Sequence, residues 1–310
     1  MASTAVKFGI GLPNGFPRGE PNMAFLRVAE EAEAWGYDSL WAGDHVVFHI
    51  PRFEVFTTLA TVIARTKRVQ VGPAVLLLAL RNPVHVAQTV ATLDHLSAGR
   101  FVLGVGVGGE HPKEFMASGV PLSERGARTN EAIEVLRRLW TEPSVAFQGR
   151  YYRFEEISVK PPPLQKPHPP LWIGGRSDAA LRRVVAFGHA WVPGFVTPKA
   201  YRAGWEKIEA LCRRSGRDSG EIVRALYVFV CVAADATAAR DEAAAFLSRN
   251  YNMSFAPLER YTVMGTPEDC VAAMRRYLEV GPQHVILRFA SFDPVRQLEL
   301  WTKEVLPALR

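Results

Sequence analysis

Residues 69–109 constrain the fold most, because they hold a strand, a helix and a second strand in immediate succession. Residues 69–78, VQVGPAVLLL, form a long apolar run rich in β-branched side chains, and residues 101–108, FVLGVGVG, form another. Neither run alternates polar with apolar, the pattern of parallel strands covered by helices. Between them Pro83 opens a helix with Val86, Val90, Leu93 and Leu96 at three- to four-residue spacing, and Ser97-Ala98-Gly99 stops it. Such a unit crosses over right-handedly, so the architecture depends on how often it repeats.

The repeat runs from end to end. Strands are expected at 6–13, 39–45, 69–78, 101–108, 171–175, 190–195, 223–233 and 284–290, with helices at 23–35, 56–65, 83–96, 126–140, 178–187, 198–214, 236–249, 267–280 and 295–309. Eight strands, each followed by a helix, make an α/β chain and a closed (β/α)8 TIM barrel, for which about 250 residues plus insertions is the usual size. The whole chain, 1–310, is read as one barrel domain. Extra residues fall at about 143–169, read as a hairpin and a Pro-rich connector, and at about 250–266, between strands seven and eight.

Composition narrows the function. No apolar run reaches the ~18 residues a membrane span needs. The opening MASTAVKFGIGLP lacks a basic segment followed by an apolar one, so no export signal is expected. Cys212, Cys231 and Cys270 are far apart and match no metal-ligand spacing, which suggests a reducing, cytoplasmic setting without a metal. The net charge of +6 is scattered, with no basic run or aromatic RNA-binding box, and reads as a solvated surface rather than a nucleic-acid face.

In a barrel of this kind the chemistry lies at the C-terminal strand ends. Gly174-Gly175-Arg176-Ser177 follows strand five and opens a helix. Glycines admit a ligand to the backbone, and free N–H groups at a helix start favour an anion, so the segment is either a phosphate cradle or a capped turn. Asp44-His45 ends strand two; a histidine there exchanges protons near neutral pH or serves as a rim hydrogen bond. Gly104, Gly106, Gly108 and Gly109 belong to strand four and its exit, not to a dinucleotide fingerprint. They allow a flat ring to approach the backbone, or they pack the barrel tightly. Arg288 ends strand eight, where it binds an acidic group or pairs at the rim.

These stretches resemble the luciferase-like oxidoreductase family. The likeness rests on SLWAGDH, on VGPAVLLLALRNPVHVAQTVATLDHLSAGR with FVLGVGVGG, on ERGARTNEAIEVLRRLWTE and on PPLWIGGRSDAALRRVVAFGHAWVPG. They run in order over nearly the whole chain and come nearest to the coenzyme F420-dependent branch; bacterial luciferases and FMN-dependent monooxygenases are more distant. The resemblance implies a homodimeric barrel that binds a flavin or deazaflavin at its mouth. It implies a non-proline cis peptide at Ala74–Val75 supporting the central ring, with Gly106 and Gly108 nearby. The cofactor phosphate would lie on Gly174, Gly175, Arg176 and Ser177. His45 would stand beside the reactive ring with Asp44 next to it, and Glu110 near the position of a family acid, displaced by one residue. The loop VVFHIPRF is short for this branch, which leaves the substrate pocket open or lined by His49 and Phe53.

The resulting expectation is hydride transfer between coenzyme F420 and a small organic substrate, with His45 handling the proton. One alternative is an FMN-dependent monooxygenase fed by a partner flavin reductase. Another is a non-catalytic flavin-binding protein.

Overall fold

The computed structural model describes residues 5–310. In chain order, the first half comprises β1 (Lys7–Gly11), α1 (Ala24–Ala34), β2 (Ser39–Ala42), α2 (Val55–Arg65), β3 (Gln70–Pro73), β4 (Leu76–Leu77), α3 (Pro83–Leu96), β5 (Leu103–Gly106), α4 (Pro112–Ala117) and α5 (Arg125–Thr141). There follow the hairpin β6 (Val145–Gln148) and β7 (Arg153–Ile157), then β8 (Leu171–Gly174), α6 (Asp178–Phe187), β9 (Ala190–Val192) and α7 (Pro198–Ser215). The chain ends with β10 (Val223–Val232), α8 (Ala236–Tyr251), α9 (Ala256–Glu259), β11 (Thr262–Gly265), α10 (Pro267–Leu278), β12 (His284–Phe289) and α11 (Pro294–Leu300).

Neighbouring strands run β3-β2-β1-β12-β10-β9-β8-β5-β4, with parallel pairing throughout. Because β3 and β4 are halves of one interrupted strand, the two ends of this order meet and the barrel is nearly closed. On the closing side the Val71 N–H donates to the Arg100 carbonyl and the Val102 N–H to the Val71 carbonyl, each at 3.0 Å. Side chains alternate between a large strand–helix layer and the barrel interior. In β2, Leu40 joins the outer layer, whereas Trp41 packs inside against Trp172 with ring centroids 4.6 Å apart.

His284 completes that interior. Trp41 Nε1 donates to Ser39 Oγ at 2.6 Å, leaving the hydroxyl hydrogen for His284 Nε2 at 2.7 Å. Burial pushes the imidazole down from 6.5 to about 3. Between those values the unfolded chain binds a proton that the folded chain refuses. Stability is therefore intact above about pH 6.5 and falls on acidification by up to about 1.4 kcal/mol per pH unit. A His284→Gln chain should lose stability less steeply between pH 6.5 and 4 in urea unfolding; equal slopes would count against this assignment.

Two regions depart from the repeat. Residues 143–169 form the expected hairpin and connector. Glu131 of α5 accepts from the N–H groups of Arg150, Tyr151 and Tyr152, and fully buried Asp94 holds Gln165 through its N–H and its amide at 2.9 and 2.6 Å. Residues 250–266, expected as an insertion, contain the additional strand β11. It pairs in parallel with the end of β10, which outruns its pairing with β12. The final helix is also interrupted. After α11 a π-helical turn, Trp301–Val305, and a 3-10 turn, Leu306–Ala308, direct Trp301, Val305 and Leu306 into the core. No helix among the described residues is long and apolar enough to cross a membrane.

Candidate active site

The strand ends converge on a cavity of about 300 Å³. Its wall includes Asp44 and His45 after β2, Ala74 and Val75 between β3 and β4, Gly106 at the end of β5 with Gly108 and Glu110 beyond it, Gly174 at the end of β8 with Gly175 and Arg176 beyond it, and Arg288 of β12. The peptide bond between Ala74 and Val75 is cis, at the position the family resemblance implied.

Glycines make room for this kink. A Cβ on Gly104 would strike the Pro73 carbonyl, and one on Gly106 would strike the Val75 side chain. At Gly174 it would come within 2.9 Å of Val75. The strand-four glycines thus serve close backbone packing as well as the cavity wall.

His45 is held by a residue that the sequence did not single out. Its Nδ1 lies 3.2 Å from both carboxylate oxygens of Glu114, a fully buried side chain on α4. The same carboxylate accepts from the Val46 N–H at 3.2 Å. Because a carboxylate only accepts, Nδ1 carries the hydrogen and Nε2 is left as the basic nitrogen. Glu110 Oε2 stands 3.9 Å from that Nε2, on a largely exposed side chain. Phe48 stacks on the imidazole at 3.9 Å.

Asp44, expected beside His45 in the chemistry, is a tether. Both its oxygens pair with Arg81, at 2.7 and 2.8 Å, and one also accepts from the Leu77 N–H at 2.9 Å. Burial acts most strongly on this carboxyl and raises its pKa; Arg81 and the Leu77 N–H oppose it. The pair fixes the end of β2 to the chain just beyond the kink.

The segment after β8 forms a helix-start cradle. Gly175 has φ +103°, a conformation side chains rarely adopt, and its carbonyl accepts from Trp191 Nε1 at 2.8 Å. Ser177 caps α6 through the Ala180 N–H at 3.2 Å and does not line the main cavity. Arg176 donates to the Phe195 carbonyl. Arg176 and Phe195 also line a second cavity of about 330 Å³ that includes Thr197 and Arg260, so the two spaces meet there.

Neither proposed wall residue of the short loop lines the main cavity. His49 Nε2 bonds the Asn250 carbonyl at 2.8 Å, and Phe53 packs edge-on to Phe16 and Phe25, joining the core because Phe53 N–H pairs with the Asn14 carbonyl. In their place Arg52 of that loop reaches the cavity, as do Tyr227 of β10 and Tyr251 of α8. Only tertiary packing brings these three together. Among the described residues no group of three or more His, Cys, Asp or Glu could hold a metal.

The sequence model described as luciferase-like monooxygenase matches residues 6–284. The F420-dependent glucose-6-phosphate dehydrogenase of Amycolatopsis mediterranei is 30% identical over 319 residues, covering 92% of this chain and 94% of the relative. Among solved structures, an F420-dependent secondary alcohol dehydrogenase in complex with an F420-acetone adduct superposes with a TM-score of 0.86 at 22% identity, covering 99% of this chain and 100% of that one. A monooxygenase from Streptomyces bottropensis superposes with a TM-score of 0.84 at 24% identity, covering 98% and 100%. At these identities the superpositions speak for a shared barrel.

Proposed function

The chain belongs to the luciferase-like monooxygenase family, and from that premise we propose that it is an oxidoreductase transferring a hydride between coenzyme F420 and a small organic substrate in the cavity at the strand ends. The observation that carries this reading is the pairing of His45, just past the strand next to the Ala74–Val75 kink, with buried Glu114, in one cavity with the Gly174-to-Arg176 cradle.

The residues fit a ring with an anionic tail. The kink offers a ledge for a flat ring, and the Gly106 side leaves backbone rather than side chain beside it. The first turn of α6 presents N–H groups without intrahelical acceptors, together with Arg176, to a phosphate. The second cavity beyond Arg176 gives a longer tail somewhere to run. When bound, the deazaflavin supplies the carbon that accepts or returns the hydride.

The protein's part is proton handling and placement. As a substrate alcohol gives up its C–H hydride, His45 Nε2 takes the hydroxyl proton, leaving a carbonyl; in the reverse direction the same nitrogen returns it. Glu114 fixes the ring tautomer and stabilises the charged imidazole. Glu110 is close enough to receive the proton and pass it to solvent. The same reading assembles the chain as a homodimer, as the family resemblance implies.

Titration of the protein with F420 and, separately, with FMN tests the cofactor. Micromolar F420 binding with negligible FMN binding is expected. The opposite result would redirect the site to oxygen-dependent monooxygenation with a partner flavin reductase. Gly175→Ala places a Cβ 3.0 Å from the Ala180 side chain on a backbone at φ +103°, and should weaken F420 about tenfold by distorting the cradle. Glucose 6-phosphate and simple secondary alcohols are the first substrates to try.

A further inference from the structure

Two guanidinium groups face the main cavity, and neither is ion-paired with a carboxylate. Arg288 is 6% exposed, and its bonding to protein is one donation from Nη1 to the Gly11 carbonyl at 3.3 Å. Arg52 reaches in from the loop after β2. Its Nη1 donates to Asn14 Oδ1 at 3.2 Å, while its buried Nε has no partner. Among the described residues no carboxylate is ion-paired with either group; Asp44, which also lines the cavity, is taken up by Arg81 at 2.7 Å.

The backbone is cut back to seat them. A Cβ on Gly11 would come within 3.0 Å of Arg288 Cδ and 3.1 Å of the Tyr227 hydroxyl. On Gly43 it would lie 3.1 Å from Arg52 Nη1, and on Gly15 3.0 Å from the Arg52 guanidinium. Tyr227 and Tyr251 line the same part of the cavity. Burial raises both phenols, so each remains a hydrogen-bond donor at neutral pH. Burial also lowers both arginines; Arg288 adds to the effect on Arg52, and Tyr251, Tyr227 and Asp44 oppose it less strongly.

Proteins rarely bury an unpaired charge, because desolvation is costly unless something at the site compensates it. The compensating group has to be an anion small enough for the cavity and rich in acceptor oxygens, which the guanidinium fork matches. We propose that Arg52 and Arg288, with the hydroxyls of Tyr227 and Tyr251, recognise a carboxylate or phosphate on the substrate. The protein then acts on an anionic alcohol or its ketone rather than on a neutral one. This rests on the hydride-transfer reading for the reaction but not for the anion site itself. The site is separate from the helix-start cradle, which lies on the β8 side of the mouth and has its own cation, Arg176.

Calorimetric titration of the F420-loaded protein with inorganic phosphate and with acetate tests it, the loaded cofactor occupying the cradle. Binding of at least one anion is expected, and the stronger of the two identifies the chemistry. Arg52→Gln and Arg288→Gln should each weaken it about tenfold or more, since each removes a charge-assisted donor, while F420 affinity stays within about threefold. Melting curves establish that the variants fold; should Arg288→Gln not fold, Arg52→Gln, in a loop, decides alone. Absence of anion binding, or anion affinity indifferent to both arginines, overturns the assignment. So does a parallel loss of F420 affinity, which would give the arginines to the cofactor. If the protein binds no F420 while phosphate affinity still depends on Arg52 and not on Gly175→Ala, the cofactor reading fails and the anion subsite stands.

Discussion

A His45→Ala protein is expected to bind F420 with near wild-type affinity and to transfer hydride about 10²- to 10⁴-fold more slowly, the usual worth of a placed general acid or base. Single-turnover change in bound F420 absorbance, with whichever trial substrate turns over, measures it. The affinity should survive because, in the function proposed above, the cofactor rests on the kink and the cradle and not on the imidazole. Glu114→Gln should fall between the two. The amide still accepts from Nδ1 but no longer offsets the charge that forms on the ring. Its loss should therefore appear in kcat rather than KM and should change the pH profile. A Glu114→Gln enzyme with wild-type kcat at every pH would reduce Glu114 to a packing residue. A His45→Ala enzyme with wild-type turnover would remove His45 from the chemistry.

The second large effect concerns stability. Arg81→Met should cost about 3–5 kcal/mol, because it strands the Asp44 carboxylate in a dry site with one N–H for company. Urea unfolding measures this directly. Asp44→Asn combined with Arg81→Met should recover most of the loss, since no charge is then left buried. The pair also ties the end of β2 to Leu77, so the single variant should misplace His45 relative to the kink and lower turnover in the fraction that still folds. A cost below about 1 kcal/mol would mean that water reaches Asp44 and that the tether is weak.

Much of the barrel was legible because its signals are local. Pro83 starts α3, where the Asn82 side chain, not singled out in the sequence, accepts from the Val84 N–H at 2.9 Å. Ser177 likewise starts α6, and both helices begin and end where caps and periodicity placed them. The kink was legible through family likeness, and the helix start after Gly174 through its glycines and Ser177. Strand β11 was not, because an alternation of two buried and two half-buried positions over four residues, one of them glycine, is too short to stand apart from a loop. The partners of His45 were not legible either. Glu114 is an ordinary acidic residue in the first turn of a six-residue helix until the fold presses that helix against the loop after β2. Arg52 was passed over for its neighbours His49 and Phe53, since nothing in VVFHIPRF says which side chain turns inward. That direction is set by pairing of the loop with residues 14–16, where Gly15 bridges Arg52 and the Phe16 N–H donates to the Pro51 carbonyl at 2.9 Å.

The glycine row opposite the kink has a bearing on how such an enzyme changes over generations. With Gly104 and Gly106 jammed against Pro73 and Val75, not even one methyl group can be introduced on that wall unless the facing strand yields in the same step. Innovation is pushed to the opposite rim, where the 46–53 loop and the end of α8 meet through His49 and the Asn250 carbonyl. New substrate preferences should therefore arise as substitutions in those two segments, while the wall around the kink is inherited intact.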